Sequence, residues 1–129
     1  MDIKIEVSVG ELLDKITILE IKKERIIDPE KTKNINKELA ILKKLWQQFS
    51  VNWQSLDKEI NALKQINEKL WEIEDKIRNK EKEKAFDQEF IELARSVYFA
   101  NDERSKIKRN INIQTASELI EEKSYSEYD

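Results

Sequence analysis

Apolar residues along most of this chain recur at alternating steps of three and four, the period of a helix that buries one stripe. The start differs. Ile3, Ile5, Val7 and Val9 alternate with polar neighbours, a period-two pattern that predicts a short extended, strand-like segment over residues 1–8, which must pair with something. Ser8 with Glu11 three residues on fits a capping box, and Leu12, Leu13, Ile16, Leu19 and Ile26 carry a first helix to about Ile27. Asp28-Pro29 ends it and opens the second, with Asp28 as cap and Pro29 in the first turn, where a missing N–H is no loss. This second helix carries Ile35, Leu39, Leu42, Trp46 and Phe49. The phase is lost from Ser50 to Ser55, which predicts a turn or kink. A third helix follows from about Leu56 to Lys82 on a heptad-like, coiled-coil stripe of Leu56, Ile60, Leu63, Asn67, Leu70, Glu74 and Ile77. Asp87 caps a fourth, carried by Phe90, Leu93, Val97, Ala100, Arg104, Ile107 and Ile111.

The last two stripes contain polar residues, and these are the informative positions. Two helices joined by a short turn near residues 82–87 pack antiparallel, so residues whose numbers sum to about 170 face each other, with Asn67 opposite Arg104 and Glu74 opposite Val97. Arg95 and Arg78 are near enough in this array to compensate Glu74. Such groups form either a polar layer that fixes register or the wall of a ligand pocket. If Arg104 only neutralises its neighbours, replacing Arg104 with Met and Asn67 with Leu together is expected to be tolerated.

Composition narrows the class. A single glycine and a single proline in 129 residues exclude sandwiches and barrels, whose turns need them, and leave an all-α chain. The expected architecture is one domain over 1–129, an antiparallel helical bundle or long helical hairpin of about four helices, with an acidic tail over 117–129. The charge of −3 hides an asymmetry, because Glu118 to Asp129 carries five acids against one lysine and the remainder is therefore at +1. That balance generates no field for nucleic acid, and none is expected as a partner. With no cysteine and no histidine, any chemistry falls to carboxylates, Lys, Arg, Tyr or Ser. No apolar run reaches a membrane span and MDIKIEVSVG does not read as a leader, so a cytoplasmic chain without a membrane partner is expected.

Two segments concentrate the candidate chemistry. LWEIEDKIR sets Trp71, Glu74, Asp75 and Arg78 on one stripe, and ARSVYFANDERSKIKR offers Arg95, Asn101, Asp102, Arg104 and Lys108. Arg104 and Lys108, one turn apart and joined by Arg95, could grip a phosphate or carboxylate, as in a mutase-like bundle that holds dicarboxylates. Alternatively, Glu68, Glu72, Asp75 and Asp102 could hold magnesium, as in all-α nucleotide pyrophosphohydrolases, although the paired ExxE and ExxD spacing of that family is not reproduced. Trp53, Tyr125 and Tyr128 read as partner contacts. In the tail, Leu119 and Ile120 are expected to anchor on the bundle, with Glu121 and Glu122 reaching the basic stripe. Wide apolar stripes on four helices in only 129 residues favour a non-enzymatic interaction or oligomerisation module, most simply a homodimer, with no cofactor required.

The stretches VSVGELLDKITILEIKKERI, LWEIEDKIR, FIELARSVYFANDERSKIKRNIN and EEKSY, in this order, resemble a small family of bacterial and phage proteins that is a domain of unknown function. The likeness spans nearly the whole chain, with only helical character in common from Lys37 to Lys64. It implies no assigned activity. One departure is Ala116, where relatives carry glycine, which argues against a tight turn there.

Overall fold

The computed structural model describes residues 1–117 and 119–124. It contains four helices, α1 (Val9–Arg25), α2 (Pro29–Ser50), α3 (Asp57–Glu83) and α4 (Gln88–Gln114), and no strand among the described residues. Residues 1–8 form neither helix nor strand, and Ile3 is 83% and Ile5 76% exposed, so the period-two pattern does not become a paired strand here.

Local chemistry accounts for the helix ends. The Ser8 hydroxyl accepts from the Glu11 N–H at 3.1 Å, and Asp28 and Asp87 accept from Glu30 and Phe90 N–H groups at 3.0 Å each. Only half of the expected capping box forms, because the Glu11 carboxylate turns away to Lys108. The break at residues 51–56 is a turn, and Trp53, half-buried, stacks there on Trp46 with ring centroids 6.0 Å apart. Both α3 and α4 end on a left-handed residue, Lys84 at φ 55° and Ala116 at φ 53°. After α4, the Ser117 N–H reaches Asn112 O at 2.9 Å and the Ala116 N–H reaches Ile113 O at 3.2 Å, a Schellman closure. The tight turn therefore forms with alanine, contrary to the expectation at this position.

α3 and α4 form the long antiparallel hairpin. Lys80 bridges Asp87 at 2.9 Å and Glu89 at 3.0 Å beside the turn, and Gln114 donates to Glu59 at 3.1 Å at the far end. α1 packs on all three other helices, whereas α2 packs on α1 alone among them. The core gathers Leu12, Leu13, Ile16 and Leu19 of α1, Ile35 and Leu39 of α2, Leu63, Ile66 and Ile73 of α3, and Ala100 and Ile111 of α4. Being enclosed, α1 buries a second stripe, Gly10, Asp14, Thr17 and Ile21 at steps of four, three and four, which hydrophobic patterning does not mark. No helix is long and apolar enough to cross a membrane among the described residues.

Candidate functional site

The second stripe of α1 organises the polar centre of the molecule. Asp14 is 1% exposed, and an isolated charge so placed would be costly. It is fully paired: Arg104 donates to it through both Nε, at 2.9 Å, and Nη2, and Asn67 Nδ2 donates at 2.9 Å. Lys108 Nζ lies 3.7 Å from the same carboxylate. Asn67 also donates to Thr17 Oγ1 at 3.0 Å. Arg104 and Asn67 thus meet through a third residue, ninety positions from one of them, that the seam arithmetic could not contain.

The cluster continues toward the tail. Lys108, itself 8% exposed, bonds Glu11 Oε2 at 2.8 Å and Glu121 Oε2 at 3.2 Å, while Arg109 pairs with Glu122 at 2.9 Å. The acidic side chains reach the basic stripe as anticipated, but Leu119 and Ile120 are 44% and 37% exposed and do not anchor the segment. Tyr125 and Tyr128 lie outside the described residues.

Asp14, Arg104 and Lys108 are each shifted away from neutrality. Burial pushes the Asp14 carboxyl up, but hydrogen bonds from Arg104 and Asn67 and the charges of Arg104 and Lys108 outweigh it and hold the group below 3.8. Burial likewise pulls Lys108 down, and the Glu11 bond with the charges of Asp14 and Glu11 overcomes it, leaving the ammonium above 10.5. The bond to Asp14 raises Arg104.

Beside this centre, an open cleft of about 450 Å³ runs between α1, α3 and α4. Five sequence-predicted residues line it, Glu74, Asp75, Arg78, Asn101 and Arg104, together with Trp71, Leu70, Ile18 and Asn67. Lys108 does not; it is enclosed in the ion-pair cluster. Arg95 is exposed and outside the cleft, and Asp102 is also outside it. Arg78 pairs with Glu74 at 3.6 Å, whereas Arg95 forms no ion pair with Glu74. The anion grip expected of Arg104, Lys108 and Arg95 is therefore not assembled, since the first two are committed to Asp14, Glu11 and Glu121. Nor do Glu68, Glu72, Asp75 and Asp102 converge. No three carboxylates among the described residues lie close enough to share a metal ion, and Glu72 reaches Arg25 at 3.4 Å. Of the missed residues, Asp14 and Thr17 carried one usable signal, a stripe spacing shared with Gly10 and Ile21, whereas Glu11 lies off that stripe and carried none.

Comparison with protein-family models places residues 3–128 within a family of unknown function, DUF6165, and the chain belongs to it. No curated protein and no solved structure matches the chain.

Proposed function

We propose that, as a member of this family, the chain is a non-enzymatic binding module whose cleft between α1, α3 and α4 receives a cationic organic group. One observation carries the reading: Trp71 and Asp75, one helical turn apart on α3, line the same cleft, and Asp75 makes no ion pair among the described residues. An aromatic face attracts a cation within about 6 Å of its centroid, and a carboxylate one turn away supplies the full opposite charge. The other charges of the cleft are largely spent, Glu74 on Arg78 and Arg104 on Asp14. An anion gripped by Arg104 would have to displace the buried Asp14 carboxylate, whereas a cation needs no such exchange.

Recognition is favoured over catalysis because Asp14, Arg104 and Lys108 are all pushed into their charged forms, away from the neutral range where an acid or base works best. The cation can be a free amine or guanidine or a Lys or Arg side chain of a partner protein. Titration of isotope-labelled protein with agmatine, with an Arg-containing peptide, and with succinate and phosphate separates these. The Trp71 indole N–H resonance is expected to shift saturably with one or both cations. Trp71→Leu should abolish the binding and Asp75→Asn weaken it several-fold, with the folded spectrum retained. Saturable binding of the anions alone, or of nothing, overturns the proposal.

A further inference from the structure

We propose that residues 2–8 bind a second copy of this chain, the two segments pairing antiparallel about a two-fold axis at Ile5. The segment belongs to no helix, its last residue Ser8 has extended backbone, and none of its N–H groups from residues 2–7 meets another backbone group among the described residues. Ile3, Ile5 and Val7 are 83%, 76% and 38% exposed. An extended run with an unpaired backbone and β-branched side chains is a template for another strand.

The identity of that strand follows from register. In the antiparallel pairing that sets Ile5 opposite Ile5, Ile3 faces Val7 twice on one side of the ribbon. On the other side Lys4 faces Glu6 twice, and Asp2 faces Ser8. Every neighbouring choice is worse. Centring on Lys4 sets Lys4 against Lys4 and Asp2 against Glu6, and centring on Ile3 leaves Glu6 and Val7 unpaired. A one-residue slip places isoleucines opposite charges, and a parallel alignment stacks like on like. The segment is thus complementary to its own reverse, the condition for an isologous two-fold contact. Ser8 caps α1 directly after it, so the fold fastens one end of each strand. A two-stranded ribbon is weak by itself, so the association depends on concentration.

The chain has no cysteine, which makes cross-linking clean. Under mild oxidation Ile5→Cys is expected to link to itself. Ile3→Cys and Val7→Cys should each stay largely unlinked when alone and link to each other when mixed. Light scattering should show the mass rising with concentration toward twice the 15.4 kDa of one chain. Lys4→Glu is expected to weaken the dimer at least tenfold, and Lys4→Glu with Glu6→Lys to restore it, while circular dichroism confirms unchanged helices. A monomer at all concentrations overturns the proposal. So does a dimer indifferent to Lys4→Glu, or equal self-linking at positions 3, 5 and 7.

Discussion

Asp14 is the residue on which most of the buried polar chemistry depends. Removing one partner of a buried ion pair leaves the other desolvated and unpaired, so Asp14→Ala, which strands Arg104 and takes one partner each from Lys108 and Asn67, is expected to cost about 3–5 kcal/mol in chemical denaturation. The same reasoning reverses the sequence-based expectation for Arg104→Met with Asn67→Leu. That pair of changes leaves Asp14 buried without its main partners and should be strongly destabilising, whereas adding Asp14→Leu should recover much of the loss. Titration gives an independent check. The folded Asp14 carboxyl lies below its ordinary 3.8, so its stabilisation is complete above that value and is lost as pH falls through the lower folded one. Lys108 lies above its ordinary 10.5, so its contribution is present below that value and lost as pH rises through the folded one. In melts across the acid range, Asp14→Asn is expected to lose less stability between neutral pH and strong acid than the wild type does.

At the scale of the helices, two backbone positions decide how the elements fit. Gly10 lies where α1 meets α4: its N–H donates to Asn112 Oδ1 at 2.7 Å, and a Cβ there would come within 2.7 Å of Lys108 O and 2.9 Å of that same oxygen. The first obstacle is backbone and cannot swing aside. Gly10→Ala is therefore expected to cost about 1–3 kcal/mol by overpacking, although alanine is the better helix former. Ala116 is the opposite case. A left-handed residue with a Cβ costs roughly 1–2 kcal/mol, so Ala116→Gly, partly offset by glycine's extra unfolded entropy, should raise stability by up to about 1 kcal/mol. Thermal melts of the two variants check both signs. The surface bridges matter less. Glu121→Gln with Glu122→Gln is expected to lower stability by no more than about 1 kcal/mol, with the difference shrinking in high salt.

The whole molecule is arranged around α1, and this makes its stability uneven. α2 packs only on α1 and leaves Ile41, Leu45 and Phe49 exposed along its outer face, so it can detach without opening the α3–α4 hairpin. Native-state hydrogen exchange should show α2 amides opening at lower free energy than those of α3 around Leu63 and Asn67. Equal protection in both would mean that the bundle opens as one unit.

The four helices, and the N-terminal caps of α1, α2 and α4, were legible in the chain because the interactions that set them are local. Ser8 with Glu11, Asp28 with Pro29, and Asp87 with Phe90 lie within three residues of each other, and stripes such as Ile35–Leu39 or Leu56–Leu63 bury themselves wherever a partner helix lies. The lining of the cleft by Glu74, Asp75, Arg78, Asn101 and Arg104 was legible for a similar reason, since a short turn forces α3 and α4 together in one register. What only the tertiary structure decided is the work those charges do. Asp14 meets Arg104 across ninety positions and Lys108 meets Glu11 across ninety-seven, and neither pairing leaves a trace in local spacing. A charge on a helix reads as solvated until a third helix covers it. Here α1 covers Arg104 and Lys108, turning an apparent anion grip into a buried ion-pair cluster and leaving Trp71 and Asp75 facing the cleft.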